Sequence, residues 1–361
     1  MVSLGSGVTK LLGRMSIDPS IRQAQLAQEL GVTRSAVNQI WKKLEQEYNL
    51  KIHSNLDYKS IGFHLIYGWV ATRSDKDSLS KFERWVENNQ YTTNILRSQL
   101  TSKMDSRVIF ESLIPEGNEF RLYIDILERF RKKPYSLELT YDIASHVANH
   151  FNFGYFDGSN WTFQTDFRFE ASIEAAKQYA DILPTGQSRR QGVLQRASLQ
   201  DIAVAAALES NYFCTSSELS NILNRVGLDM PSERTLRRRI NKLRKSIAQP
   251  YLSLENIGLT RMIVITIDAS EQSNISKLLR SQAVTLPKVR VLSGLDSIML
   301  LLGLPETTDL IHISNAMAQI VKTPSEMCTF IAERVRDRRW LENIVHKMTV
   351  RAREKNRKPI V

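Results

Sequence analysis

Cysteine is nearly absent. The 361 residues hold two, Cys214 and Cys328, and neither belongs to a CxxC. Both lie in apolar sequence, so they are expected to be buried, reduced thiols in a reducing compartment. Long apolar runs are also missing. The nearest is "SIMLLLGL", far short of the roughly 18 residues that span a bilayer. The start, "MVSLGSGVTKLLGRM", has no long apolar core and no clear cleavage site, so no signal peptide is expected and the default location is the cytoplasm. No long low-complexity tract is present.

Signatures of chemistry are equally scarce. "GSGVTK" lacks the full phosphate-loop spacing and follows no strand, and no Ser-His-Asp set, nucleophile elbow or carboxylate pair stands out. Two of the six histidines, His146 and His150 in "HVANH", are four apart and could share a helix face. They lack the glutamate of a zinc-protease motif and an obvious third ligand, and His64 and His312 stand alone on apolar segments. No metal, no cofactor and no catalytic residue is expected; the chain reads as a non-enzyme.

What is present is a foldable, basic chain. Apolar residues make up 42%, and the length suffices for two to four domains with sizeable cores. The net charge of +11 favours a polyanionic partner, nucleic acid or an acidic surface.

The chain also resembles itself. "LDYKSIGFHLIYGWV" from Leu56 matches "LSLENIGLTRMIVIT" from Leu252, with Ile61-Gly62 on Ile257-Gly258. Upstream, Val37, Trp41 and Leu44 match Leu236, Ile240 and Leu243. Each half therefore holds a helical module followed by an α/β module.

In the first half, helices are expected over 9–15, 21–30 and 33–47. Ser20 with Gln23 fits a capping box, Thr33 caps the third helix, and Gly31 sits where the chain reverses. Ala27 is small where the helices cross, and Leu26, Leu30, Val37 and Ile40 wedge the pair against its core, as in a helix-turn-helix. The other face of the third helix carries Thr33, Arg34, Ser35, Asn38, Gln39, Lys42 and Lys43. Asn38 and Gln39 suit adenine and Arg34 suits guanine; Ser35, Thr33, Lys42 and Lys43 suit phosphates.

The second half repeats the order, with Thr215 and Glu218 as a capping box and a longer loop, "NRVGLDMP". Its third helix, 232–245, carries Arg234, Arg237, Arg238, Arg239, Lys242, Arg244 and Lys245 against one acid, Glu233. Arg234, Arg237, Arg238, Asn241 and Lys242 are the expected DNA contacts, with steep salt dependence. After each helical module the pattern reads βαββαβ, a ferredoxin-like sandwich.

The expected domains are a helix-turn-helix over 1–56, a ferredoxin-like module over 57–150 and a linker over 151–198. That linker holds an aromatic stretch, "FNFGYFDGSNWTF", and a helix near 170–183. The plan repeats over 199–254 and 255–338, and a C-terminal helix with a basic tail fills 339–361.

This order resembles the leucine-responsive/asparagine-regulator (Lrp/AsnC) family of prokaryotic transcription regulators. The residues that carry the resemblance are "LAQELGVTRSAVNQIWKKLE", "LDYKSIGF" and "LSGLDSIMLLL". The last is similar to the family's Gly-x-x-Asp turn, with Gly294 and Asp296 one residue closer than usual; the first half has Asp105 and no Gly. The resemblance implies a regulator that binds duplex DNA, with Gly294 and Asp296 beside a small-molecule effector such as an amino acid. The doubling implies a fused pseudo-dimer, as a monomer or a homodimer, with α+β architecture: two winged-helix heads alternating with two ferredoxin-like modules.

Two alternatives remain at this level. Siroheme decarboxylases resemble the same two-module plan, though their His-Tyr-Arg type cluster is not found here. An RNA-binding protein would share the ferredoxin-like sheet, but no "RGFGFV"-like strand is present.

Overall fold

The computed structural model describes residues 4–72, 76–99, 106–162, 197–269, 274–311, 313, 315, 327–336 and 341–357. The helix expected near 170–183 lies outside them, as do Asp105 and most of the helix expected before the last strand. In the first half the elements run α1 (Ser6–Ile17), α2 (Gln23–Leu30), α3 (Arg34–Tyr48), β1 (Lys51–Leu56), β2 (Phe63–Thr72), α4 (Lys76–Asn88), β3 (Thr92–Ser98), β4 (Ser106–Pro115), α5 (Asn118–Arg131), β5 (Glu138–Ile143) and β6 (His146–Phe151). In the second they run α6 (Leu199–Ser210), α7 (Ser216–Val226), α8 (Glu233–Ser246), β7 (Ala248–Ser253), β8 (Arg261–Asp268), α9 (Asn274–Ala283), β9 (Lys288–Ser293), β10 (Ser297–Leu304), β11 (Met327–Arg336) and α10 (Leu341–Arg357).

Both helix-turn-helix heads and both ferredoxin-like modules are present, so the fold is the duplicated α+β arrangement. Two compact units divide the chain. One comprises Met1–His53, Ser145–Arg189 and Pro250–Ala332; the other comprises Ser54–Ala144, Arg190–Gln249 and Glu333–Val361. Each unit thus joins the head of one half to most of the α/β module of the other.

In the first unit, α1, α2 and α3 close on Leu11, Leu12, Met15, Leu26, Val37 and Leu44, all fully buried. Gly31 ends α2 at φ 66°, a left-handed turn that glycine adopts without steric cost. The Ser20–Gln23 capping box does not form. Asp18 instead accepts from the Ser20 hydroxyl (2.6 Å) and amide (3.0 Å), and α2 starts after an uncapped Arg22. With Arg22 at the N-cap, Ser20 lies two residues before the position that a cap needs, and its hydroxyl turns to Asp18.

The α/β part of this unit is antiparallel in the order β11-β8-β10-β9-β6. Ile263, Ile265, Ile267, Val289, Val291, Ile298, Leu300 and Leu302 alternate along their strands and face Leu279 and Ala283 of α9. β6 corrects a reading of the sequence. "HVANH" is an edge strand pairing His146 with Ser293 and His150 with Val289, not a helix. Four residues along a strand span about 13 Å, so the two rings are too far apart to share a metal.

In the second unit the order β5-β2-β4-β3 places α4 and α5 against the sheet. Phe82 of α4 lies edge-on to Phe110 of β4 and Phe130 of α5 at 5.6 and 5.2 Å. Gly68 of β2 is obligatory, because an added Cβ would sit 2.4 Å from the Thr140 carbonyl oxygen. The head of this unit is built from α6, α7 and α8. Thr215 and Glu218 do form the capping box at α7. One buried carboxylate ties three segments together. Glu209 of α6 accepts from the Tyr58 hydroxyl at 2.5 Å and from the Leu341 amide, at the start of α10, at 2.6 Å. Among the described residues no helix is long and apolar enough to cross a membrane.

Candidate nucleic-acid interface

Each head presents its third helix in the same way. On α3 the apolar stripe of Val37, Leu44 and Tyr48 is buried, with Ile40 and Trp41 partly so. Thr33 caps the helix by accepting from the Ala36 amide at 3.2 Å. Arg34, Ser35, Gln39, Lys42 and Lys43 are exposed, and Asn38 is half-buried beside them. Lys43 faces Glu47 at 3.8 Å; among the described residues Arg34 and Lys42 form no ion pair.

On α8 the buried stripe is Leu236, Ile240 and Leu243, and Ser232 caps the start. Its cations divide into two groups. Arg244 reaches the carbonyl oxygens of Tyr212 (2.9 Å) and Cys214 (3.0 Å) and lies over the Tyr212 ring. Arg239 approaches Asp201 at 3.4 Å, and Arg237 pairs with Glu233, holding that carboxyl below its ordinary range. These three brace the head or neutralise an acid. Arg234, Arg238, Lys242 and Lys245 are exposed and, among the described residues, have no side-chain partner. Asn241 is exposed and accepts from Arg244 at 3.3 Å. Lys245 was not singled out from the sequence as a contact; its exposure on the Lys242 side of the helix adds it.

The remaining candidates lie elsewhere. Gly294 and Asp296 form the tight turn between β9 and β10. The Gly294 amide donates to the Ser297 carbonyl oxygen, and the Asp296 carbonyl oxygen accepts from Ala269. Gly294 is buried and Asp296 exposed. Burial pushes His146 and His150 down to about 4, with Arg280 adding to the effect at His146 and His146 at His150. Both rings are therefore neutral near pH 7. Among the described residues no group of three or more His, Cys, Asp or Glu could hold a metal ion. The Cys214 thiol is buried and pushed up to about 12, mainly by desolvation, which makes it inert.

No family model matches the sequence, and no curated protein matches it. Among solved structures, the siroheme decarboxylase NirDL is similar over 97% of this chain and 100% of its own, at 11% identity and TM-score 0.51. The same decarboxylase in co-complex with an iron-uroporphyrin III analogue covers 96% and 99%, at 11% identity and TM-score 0.52. An AsnC family transcriptional regulator from Agrobacterium tumefaciens covers 40% of this chain and 91% of its own, at 13% identity and TM-score 0.27. At these identities the likeness to NirDL is one of fold. It nevertheless corrects the expectation of a non-enzyme, because the architecture matched from end to end is one on which an enzyme is built.

Proposed function

We infer that this chain binds double-stranded DNA as a transcription regulator, through α3 in one unit and α8 in the other. One observation carries the reading. In both heads the polar flank of the third helix is open to solvent and holds cations that have no partner among the described residues. A major groove accepts such a helix, and phosphates supply the missing counter-charges. Arg34, Asn38 and Gln39 read base edges, while Thr33, Ser35, Lys42 and Lys43 hold the backbone. Arg234, Arg238, Lys242 and Lys245 grip phosphates; Arg237 joins them by exchanging Glu233 for a phosphate, and Asn241 lies alongside. The heads differ in sequence, so an asymmetric site is favoured over a palindrome. The turn at Gly294 and Asp296 is the proposed contact for a small effector such as an amino acid. The chain acts as a pseudo-dimeric monomer or as a homodimer in the cytoplasm. Genome-wide capture of bound DNA, followed by mobility shifts on duplex DNA and RNA at two salt concentrations, tests this. A preference for RNA, or no retarded duplex at low salt, would sink it.

A second reading is favoured by the end-to-end likeness of fold to siroheme decarboxylase NirDL. In it the chain is a tetrapyrrole enzyme on the same architecture. Absorption titration with an iron uroporphyrin separates the two: a saturable Soret shift with no DNA retardation selects the enzyme.

A further inference from the structure

The helical face of the second unit carries a groove that neither reading uses. It runs between α4 and α5, has a volume of about 590 Å³ and lies in the size range of small-molecule sites. Its floor is aromatic and apolar. The Trp85 ring lies 5.0 Å from Tyr123, beside Ile126 and Leu122. The Tyr123 hydroxyl is drawn underneath to Ser112 at 2.7 Å, so Tyr123 offers the groove its ring alone. Leu122 is 58% exposed and adds apolar surface to the groove.

The rim is rich in donors. Lys81, whose ammonium lies 5.9 Å over the Tyr135 ring, and Arg84 line it from α4, together with one acid, Glu119, and the carboxamide of Gln90. Among the described residues Arg84 has no ion pair, and the Trp85 indole N–H has no acceptor. Two cations against one carboxylate select an anion. The flat ring of Trp85 beside exposed leucine selects a planar apolar body.

We propose that the α4/α5 groove binds a planar aromatic carboxylate, with its ring against Trp85 and Leu122 and its carboxylate on Arg84 and Lys81. The site is separate from the Gly294–Asp296 turn and does not depend on DNA binding. A guanidinium–carboxylate contact of this kind contributes roughly ten- to hundredfold in affinity.

The test is calorimetric titration of the full chain with 1-naphthoate, and with uncharged 1-naphthalenemethanol as its neutral partner. Saturable one-to-one binding of naphthoate is expected, at least tenfold tighter than the alcohol. Arg84→Gln should weaken it at least tenfold with an unchanged melting temperature. Leu122→Glu should abolish it, while Arg121→Gln, outside the groove, should leave it unchanged. Absence of saturable binding at millimolar naphthoate overturns the proposal. So does binding that survives both Arg84→Gln and Leu122→Glu. Arg84 is exposed, so its variant is informative even where Leu122→Glu misfolds.

Discussion

Replacing Arg234 and Arg238 together by glutamine removes two of the four α8 cations that lack a side-chain partner among the described residues. Each cation that meets a phosphate releases condensed counterions, and the slope of log K against log salt changes by about 0.9 per contact. The double variant should therefore flatten the slope by roughly 1.8. Between 50 and 200 mM salt, the loss of affinity should shrink about twelvefold relative to the parent chain. Arg239 is the internal control, because Asp201 already occupies it at 3.4 Å. Arg239→Gln should leave the slope within a few tenths of the parent value. The assay is fluorescence anisotropy on a duplex of fixed sequence at four or more salt concentrations. A double variant with an unchanged slope would refute the idea that the open flank of α8 lies on DNA. A flattened slope in Arg239→Gln would instead show that partnered and unpartnered cations are not distinguished by the fold.

Three further outcomes follow from the same structure. Arg34→Ala with Asn38→Ala should weaken binding to a selected site by roughly tenfold or more while barely changing binding to random duplex, measured by competition mobility shift; equal losses on both would remove α3 from sequence reading. Glu209→Ala removes the buried acceptor of the Tyr58 hydroxyl and the Leu341 amide and should cost on the order of 3 kcal/mol in thermal or urea unfolding. Glu209→Gln, which keeps an acceptor, should cost about 1 kcal/mol, and equal costs would refute that clamp. His146 and His150 are held down to about 4, so the unfolded chain binds more protons than the folded one below the ordinary histidine value. Stability is thus full above about pH 6.5 and falls as pH drops toward 4, by on the order of 5 kcal/mol for the two rings together at about 1.4 kcal/mol per pH unit each. A His146→Gln/His150→Gln variant should melt with a flatter pH profile, and an unchanged profile would contradict the assignment.

The helix-turn-helix heads were legible because their information is local. The apolar stripes on α3 and α8, the left-handed Gly31 and the reciprocal Thr215–Glu218 cap involve neighbours a few residues apart. The βαββαβ order of the first half was legible for the same reason, since strand alternation and helix periodicity are read in short windows. Other readings failed for two reasons. Asp18, two residues from Ser20, took that side chain in a competing local hydrogen bond, and β9, distant in the chain, supplied the backbone that made "HVANH" a strand. Asp201, Tyr212 and Cys214 absorbed two of the arginines that looked free on α8. The α4/α5 groove left no signal in the sequence, because its lining positions are spaced like any solvated helix face.

The sequence by itself determined most of the helices and strands, the duplication, and the excess of cations, since each depends on short-range periodicity or on simple count. Only the tertiary structure decided which cations stay available, which half's head joins which α/β module in a compact unit, and where Glu209 finds its donors. Those outcomes depend on pairings between residues far apart in the chain. Such a pairing is selected by the free energy of burying one specific partner against another, and no local pattern encodes it.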